Sequence, residues 1–358
     1  MTRKTRIHLD HAATTHVLPA AQAAIADALR TWGNPNSPYA EGRAARSSLE
    51  KARRTIADVL GWRGETILTS GASEAVEIAA RRARVPNRAH GATEHAIVPH
   101  SMGTGSKVIP VQSNGLIDEE ALDAILAEGR TLIAIQQVNN ETGIIQPLER
   151  LAPRIRAAGS LLLADCAQGA GKIPLPDADF IAACAHKLGG PPGVGVLLVK
   201  DLGTLAPVGG QEKGYRRGTQ DVPCAAGFAA ALAARPYDME RLKSLRARLE
   251  HEIVAAGGVV IGADVSRVSI IGAYAMPGVA SSTQLVQFDL AGIAVSAGSA
   301  CSSGSMKPSL VLEAMGLPPE IASCFVRVSF GPDTGEAEVD RFLSEWLRIR
   351  ERAVSKAA

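Results

Sequence analysis

The chain has 358 residues, 46% of them hydrophobic, so it can bury a sizeable core and is long enough for two domains. Its 38 basic and 36 acidic side chains leave a formal net charge of +2, and no global field favours nucleic acid or an anionic membrane. A small polar substrate fits this charge balance better.

The cysteines number five, an odd count without a CxxC pair, which argues against a disulfide framework and a closed zinc site. The basic start is followed by His8, Asp10 and His11, where a signal peptide needs an apolar run, and no stretch reaches the length of a membrane span. We therefore expect a cytoplasmic protein with neither a nucleic-acid nor a membrane partner.

The first half of the chain carries the pattern of an α/β fold. Residues 20–30 and 44–60 predict amphipathic helices. Between residues 56 and 199, helical stretches alternate with short apolar runs, in chain order ETILTS, HAIV, KVIPV, TLIAIQQV, SLLLAD, DFIAAC and GVGVLLV. This alternation predicts a mostly parallel central sheet flanked by helices.

The C-terminal third has a different texture. A charged helix is predicted over residues 238–256, and the strand-like runs RVSIIGAY, QLVQFDL and CFVRVSF then alternate with helical patterns at PSLVLEAMG and at residues 336–353. We predict a large domain over residues 15–245, and a smaller α+β domain that combines residues 1–14 with residues 246–358.

One lysine lies in an unusual context. Lys187 follows the apolar run DFIAAC and precedes a Gly/Pro-rich turn, whereas the other lysines lie in charged or loop contexts that predict a solvated surface position. A lysine at the mouth of a sheet suits imine formation, because desolvation disfavours the ammonium and leaves a nucleophilic amine. A lysine that simply caps a strand end is an equally good interpretation of this segment alone.

Two further segments indicate a phosphorylated, ring-containing ligand. In ETILTSGASEA, residues 70–73 would present free backbone amides at a helix start, a ready phosphate site, although a plain helix cap by Ser73 would look the same. SLLLAD ends in Asp165, where a carboxylate at the carboxyl edge of a sheet could pair with a protonated pyridine nitrogen.

Together these segments resemble a known family. TSGASEA, TEHAIV, VNNETG, LADCAQ, AHKLGGPPGVG, GYRRGTQDVP, VSAGSACSSGS and VRVSFG occur in the order and rough spacing of the cysteine desulfurases of the nitrogenase and iron–sulfur-assembly type, within the class V aminotransferases. The likeness runs from HLDHAATT to RVSFG, nearly the whole chain. It implies a fold-type I enzyme that uses pyridoxal 5'-phosphate.

The resemblance assigns cofactor contacts residue by residue. Lys187 is similar to the lysine that holds the cofactor as a Schiff base, Asp165 to the partner of the pyridine nitrogen, and Gln168 to a donor to the phenolic oxygen. His95 is similar to a histidine that stacks on the cofactor ring and shuttles protons. The TEHAIV segment by itself favours instead a structural histidine on a strand, with its ring hydrogen-bonded within the fold. The expected contacts to the phosphate or the rest of the cofactor are Ala72, Ser73, Asn140, Cys184, His186 and Thr219. The residue matching Thr219 reaches a neighbouring subunit in this family, which implies a homodimer.

Substrate residues follow from the same likeness. Asn140 and Arg327 are similar to the pair that holds the substrate carboxylate, and Asn34 to a further lining residue; a structural salt bridge is the alternative for Arg327. Cys301 lies in a run of Gly, Ala and Ser that predicts a mobile loop, which suits a thiolate that accepts sulfur as a persulfide. The implied reaction converts L-cysteine to L-alanine and passes sulfur to an iron–sulfur scaffold or another acceptor protein. Cys301 could touch a nascent cluster transiently, without a permanent one.

Several positions depart from the family pattern. The family usually has an aromatic residue at His11, threonine at Ser73, serine at Cys184 and glycine at Ala185. A thiol is a weaker hydrogen-bond partner than a hydroxyl, so cofactor affinity could fall. Selenocysteine lyase, an aminotransferase on the same scaffold and a non-catalytic assembly homologue therefore stay open as alternatives. The histidines at positions 8, 11 and 16 do not share one helix or strand face, and we expect no metal site.

Overall fold

The computed structural model describes residues 6–31, 33–297 and 308–357. The α-helices are α1 (Pro19–Arg30), α2 (Ala40–Val59), α3 (Ala72–Arg82), α4 (Ile97–Met102), α5 (Glu119–Ala127), α6 (Leu148–Ala157), α7 (Val222–Ala233), α8 (Met239–Ala255), α9 (Ser281–Leu290), α10 (Leu310–Ala314), α11 (Pro319–Ala322) and α12 (Glu336–Ala357). The strands are β1 (Ile7–His8), β2 (Glu65–Thr69), β3 (Asn87–Gly91), β4 (Lys107–Ile109), β5 (Thr131–Gln136), β6 (Leu161–Asp165), β7 (Phe180–Cys184), β8 (Gly195–Val199), β9 (Val259–Val260), β10 (Ile271–Ala275), β11 (Ile293–Ala294) and β12 (Phe325–Ser329). Two 3₁₀ turns cover Leu202–Thr204 and Glu212–Gly214.

A seven-stranded sheet forms the first part of the molecule, in the order β2-β8-β7-β6-β5-β3-β4. The pairs from β7 to β4 are parallel, and β8 is antiparallel to both of its neighbours. Strands β5, β7 and β8 are buried along their whole length, which explains their nearly continuous apolar runs. The predicted α/β class with a mostly parallel sheet is confirmed.

Helices cover both faces of this sheet. On one face, Leu49 and Ile56 of α2, Leu151 of α6 and Phe228 of α7 share a core with alternate strand residues. On the other face, α3 contributes a second core that reaches Phe180 of β7. The two layers leave only the ends of the strands open to a ligand.

The strand directions bring several loops to one edge. Strands β3, β5, β6 and β7 run parallel, and β2 shares their direction because both it and β7 pair antiparallel with β8. The segments that follow these strands therefore emerge at one carboxyl edge, where open α/β sheets place their ligands. These segments hold the start of α3, His95, Asn140, the end of β6 at Asp165, and Lys187.

The C-terminal part builds a second core on a three-stranded antiparallel sheet, β12-β10-β9. Phe288 of α9 stacks on Phe342 of α12, with ring centroids 4.8 Å apart, and Trp346 is fully buried beside them. Leu9, near the N-terminus, packs into the same core. The N-terminal strand β1 pairs with β11, so the N-terminal segment joins this part of the molecule. The division at residue 245 falls inside α8 and stays a prediction.

Two expected strands are wrong, and the five-residue strand β3 was missed, as were the two-residue strands β1, β9 and β11. HAIV is a loop followed by α4, and QLVQFDL lies in α9. Within α9, Gln284 and Phe288 are buried four residues apart while Val286 and Leu290 are exposed, which is helical spacing. Strand β3, with the polar sequence NRAHG, lies between β4 and β5 and is held by backbone pairing rather than by apolar side chains. No helix in the described ranges combines the length and apolar character needed to cross a bilayer.

Candidate active site

Lys187 lies three residues after β7, in a tight turn, and is half-buried. Its backbone carbonyl accepts hydrogen bonds from Thr15 Oγ1 (3.2 Å) and Tyr237 OH (3.4 Å). The turn is closed by the backbone N–H groups of Leu188 and Gly190, which both donate to the carbonyl of Ala185 at 3.0 Å. The backbone of the turn is therefore held in place, and the Lys187 side chain is the part left to react.

Asp165 ends β6 and lies opposite Ala182 of β7. Its Oδ1 accepts from the backbone N–H of Ala167 at 2.9 Å. Burial lowers the pKa of His95, the charge of Lys187 lowers it further, and the charge of Asp165 opposes them. Lys187 and Asp165 therefore both lie within electrostatic range of His95 at the carboxyl edge.

His95 lies in the loop between β3 and α4, so the strand-histidine interpretation is wrong. Its Nδ1 accepts from the backbone N–H of Ile97 at 3.3 Å. Because its pKa is lowered, the ring is neutral near pH 7 and carries its proton on Nε2. A neutral ring with a fixed tautomer suits both stacking and proton transfer.

Glu94 is a polar residue of this edge that the sequence did not single out. Its Oε1 accepts from the backbone N–H of Gln136, at the end of β5 (2.8 Å), and its Oε2 is buried without a partner among the described residues. Burial, with the nearby charge of Asp165, raises the pKa of this carboxyl well above its usual value. Through its bond to Gln136, Glu94 thus fastens the His95 loop to the sheet. The motif TEHAIV gives no signal of that burial.

The start of α3 has the form of an anion site. Gly71 precedes the helix, and no side chain caps the first turn, so the interpretation of Ser73 as a plain helix cap is wrong. The amides of Ala72 and Ser73 are free for a ligand at the positive end of the helix. A Cβ added to Gly195 of β8 would lie 2.7 Å from the Gly71 backbone, so glycine is needed for this close approach.

Gln168 and His186 flank the lysine turn. Gln168 Nε2 donates to the carbonyl of Ala12 at 2.9 Å, while its Oε1 is buried without a partner in the described part of the chain. His186 lies within 3.3 Å of Thr14 Oγ1 through Nδ1. Burial, followed by the charges of Lys187 and Lys172, lowers the pKa of His186 to about 4. This histidine is neutral at physiological pH.

Lys172 contradicts the expectation of a surface position for the other lysines. It is buried, with Nζ 5.1 Å from the centroid of the Tyr237 ring, and no carboxylate of the described ranges is within ion-pair distance of it. Burial lowers its pKa to about 7, with a further contribution from Lys187. The segment AQGAGKIP predicts a turn. The burial of Lys172 becomes visible only in the tertiary structure, where Tyr237 packs over the segment.

Arg327, in β12, is nearly inaccessible and its charge is already matched. Its Nη2 donates to Asp10 Oδ1 (2.6 Å) and its Nη1 to the carbonyl of Asn140 (3.0 Å). The Nε is buried with no partner among the residues described. The structure thus brings Arg327 and Asn140 together, and it adds Asp10, which sequence reasoning did not assign. The salt bridge weighed as an alternative is present, and it leaves other guanidinium N–H groups for a ligand.

Asn34 and Thr219 lie elsewhere in the single chain. Both line a cavity of about 520 Å³ between the α1–α2 connection and the start of α7, and Lys187, Asp165 and Arg327 are not among its lining residues. Asn34 Oδ1 accepts from the backbone N–H of Asn36 (3.0 Å). Cys301 lies outside the described residues. The predicted roles of these three residues therefore stay predictions.

The tertiary structure clusters three histidines whose sequence spacing gave no common face. The ring centroids of His8 and His11 are 4.5 Å apart, and those of His8 and His16 are 4.9 Å apart. Both ring nitrogens of His11 are within hydrogen-bond distance of partners, His8 O and Thr15 Oγ1. Burial and the neighbouring histidines lower its pKa to about 3. In the described ranges no group of three or more His, Cys, Asp or Glu side chains is placed to hold a metal ion.

His11, one of the positions that depart from the family pattern, packs against Gly331. A Cβ on Gly331 would lie 2.1 Å from the imidazole ring, so the glycine leaves the space that this ring fills. Ala185 is another departure from the family pattern. A Cβ added to Gly190 would lie 2.7 Å from the Cβ of Ala185.

Comparison with known proteins agrees with this architecture. The model of the aminotransferase class-V family matches residues 7–342. The chain is 35% identical to a cysteine desulfurase of Cereibacter sphaeroides over 94% of both chains, and 36% identical to an IscS-like cysteine desulfurase of Mycobacterium tuberculosis, also over 94% of both. The crystal structure of a NifS-like protein from Rickettsia africae superimposes with a TM-score of 0.89 at 27% identity, covering 97% of this chain and 99% of that one.

The chain therefore belongs to the aminotransferase class-V family, whose members are generally dependent on pyridoxal phosphate. Within that family it groups with the cysteine desulfurases and is an enzyme of that kind. The resemblance noted in the sequence is confirmed over nearly the whole chain.

Proposed function

We propose that this enzyme removes sulfur from L-cysteine with pyridoxal 5'-phosphate as cofactor, releasing L-alanine and leaving a persulfide on Cys301. The observation that carries the proposal is the convergence of Lys187, Asp165, His95 and the uncapped start of α3 at one sheet edge. A lysine, a carboxylate, a neutral imidazole and free amides are the groups that a phosphorylated pyridine aldehyde requires.

The residues present fit the cofactor at each of its polar groups. The amides of Ala72 and Ser73 would hold the phosphate, Asp165 would pair with the ring nitrogen, and Lys187 would bind the aldehyde carbon. The remaining amide proton of Gln168 is available to the phenolic oxygen. When bound, the cofactor supplies an electron sink for negative charge that develops on the substrate carbons.

The chain's own residues supply proton transfer and orientation. Lys187 Nζ would take the α-proton of the substrate, and the neutral His95 ring would relay protons on the opposite side. Arg327 would bind the substrate carboxylate through the N–H groups that Asp10 and Asn140 leave free. This fixes the β-carbon of the substrate relative to the incoming thiolate.

The sulfur step needs no external oxidant. The Cys301 thiolate attacks the substrate sulfur, a sulfur–sulfur bond forms, and the bond from the β-carbon to sulfur breaks. That carbon gains a proton and becomes the methyl group of alanine, while the transferred sulfur is oxidised to the persulfide level. The persulfide then passes to an acceptor protein such as an iron–sulfur scaffold.

We also propose that the enzyme acts as a homodimer. Thr219 lines a cavity whose lining does not include Lys187, and the matching residue of the resembled family reaches the site of a neighbouring subunit, which supports a second copy.

The solved structure of SspA in complex with cysteine, 26% identical with a TM-score of 0.77, supports cysteine as the ligand of this kind of site.

The test is a Cys301→Ser variant compared with the wild-type enzyme, both loaded with pyridoxal phosphate. We expect the variant to keep the visible absorbance of the bound cofactor and to lose sulfide release from L-cysteine in the presence of a thiol reductant. Mass spectrometry should find one added sulfur on wild-type Cys301 and none on the variant. Full activity of the variant would overturn the assignment of Cys301.

A further inference from the structure

The chain on either side of the Cys301 segment is attached to the environment of Arg327. On the N-terminal side, Ser296 and Arg327 exchange both backbone hydrogen bonds, at 2.7 and 3.2 Å. On the C-terminal side, Ser309 Oγ donates to Glu141 Oε2 at 2.6 Å. Glu141 follows Asn140, whose carbonyl accepts from Arg327. The two attachments therefore both lead to Arg327, one at its backbone and the other through the Asn140–Glu141 segment, whose carbonyl binds its guanidinium.

Both side chains of the Ser309–Glu141 contact are buried. Burial raises the pKa of Glu141, and the hydrogen bond from Ser309 and the charge of Arg327 oppose that shift. A buried carboxyl is costly unless it is hydrogen-bonded, so the contact is maintained only if it stabilises this arrangement. The backbone N–H of Glu141 is also held, by Asn139 Oδ1 at 2.9 Å.

Ser309 has a second function in the fold. Its hydroxyl also accepts from the backbone N–H of Leu312 at 3.1 Å and so caps α10. The Ser309 hydroxyl thus caps the start of α10 and also binds Glu141. Because Glu141 follows Asn140, which binds Arg327, the start of α10 is held in a fixed position relative to Arg327.

We propose that Ser309 and Glu141 are positioning residues that fix the C-terminal attachment of the Cys301 segment next to the substrate carboxylate site. This inference rests on the proposed sulfur transfer to Cys301. It predicts that loss of the attachment slows the sulfur step while leaving carboxylate binding at Arg327 nearly unchanged. A displacement of a reacting group by about 1 Å can cost roughly a hundredfold in rate, so even a partial loss of position is measurable.

The experiment compares Ser309→Ala with the wild-type holoenzyme in two assays. Titration with L-alanine, followed by the absorbance of the bound cofactor, measures binding of the amino-acid carboxylate. Rapid quenching after mixing with L-cysteine measures alanine release and the sulfur adduct on Cys301 in one turnover. We expect Ser309→Ala to slow adduct formation by about tenfold and to change the Kd for alanine by less than about threefold.

Two control variants distinguish loss of the Ser309–Glu141 attachment from a general effect of the substitution on folding. Ser309→Thr keeps the hydroxyl and should restore adduct formation to within about threefold of wild type. Asp118→Ala removes a comparable cap, from α5, and should leave both assays unchanged. An adduct rate in Ser309→Ala equal to wild type would overturn the inference, as would equal losses in rate and alanine affinity. Absence of any adduct on wild-type Cys301 would instead overturn the proposed function.

Discussion

The sheet edge around Lys187 and the corner around Arg327 differ in whether their positively charged side chains have a negatively charged partner. At the sheet edge, Lys187 and the buried Lys172 have no ion-pair partner in the described part of the chain, and Glu94 has an unpartnered oxygen. At the corner, Arg327 is already bound to Asp10 and to the Asn140 carbonyl. At the sheet edge the two lysines lack a counter-charge, whereas at the corner the charge of Arg327 is matched by Asp10 and its hydrogen bonds must be shared with a ligand.

This difference teaches how the two regions use burial. Desolvation at the sheet edge lowers the pKa of Lys172, His95 and His186, which favours neutral bases. Desolvation at the corner would make an unpaired guanidinium very costly, and Asp10 removes that cost. One region is suited to proton transfer and the other to holding a charge in a fixed place.

The largest effect is expected at the sheet edge. Lys187→Ala removes both the covalent attachment of the cofactor and the base, and desulfurase activity should fall by at least about a thousandfold. The visible absorbance of the bound cofactor should also shift or disappear. Lys200→Ala is a suitable control because Lys200 is a surface lysine paired with Asp177. If Lys187→Ala retained activity near wild type, the sheet edge would not be the reaction centre.

A moderate effect is expected at the Arg327 corner. Asp10→Asn keeps the shape of the side chain but leaves the guanidinium without its anionic partner, so its plane is less well fixed. We expect KM for L-cysteine to rise by about tenfold, with kcat changed by less than about threefold. Steady-state kinetics at fixed pH provide the measurement. A fall in kcat at unchanged KM would show that Asp10 acts on chemistry instead of carboxylate binding.

The last prediction concerns the free energy of unfolding instead of catalysis, and it comes from Lys172. Its pKa is lowered to about 7 in the folded protein, so between pH 7 and its ordinary value the unfolded chain binds more protons. Burial of Lys172 therefore makes stability rise with pH across that window. Lys172→Met should flatten this rise by an amount on the order of 3 kcal/mol.

Urea unfolding of the wild-type and Lys172→Met holoenzymes at pH 7, 8 and 9 measures this difference. Comparing the two proteins removes the contributions of titrating groups that do not interact with Lys172. Identical pH slopes in the two proteins would mean that Lys172 stays charged in its buried position.

The sequence was most informative where chemistry follows directly after a strand. Lys187 comes after DFIAAC and Asp165 ends SLLLAD, and the structure brings both to one edge because their strands are adjacent and parallel. The same reasoning failed for HAIV and QLVQFDL. Short apolar runs do not distinguish a strand from one face of a helix, and β3 has hardly any apolar signal.

By itself the sequence determined the fold class, the family and the segments that carry the candidate catalytic groups, since apolar periodicity and local motifs are properties of neighbouring residues. Only the tertiary structure decided that Asp10 neutralises Arg327 and that Ser309 binds Glu141, contacts between residues 317 and 168 positions apart. It also decided that Lys172 is buried. Burial and ion pairing depend on which distant segments pack together, and no local pattern encodes that choice.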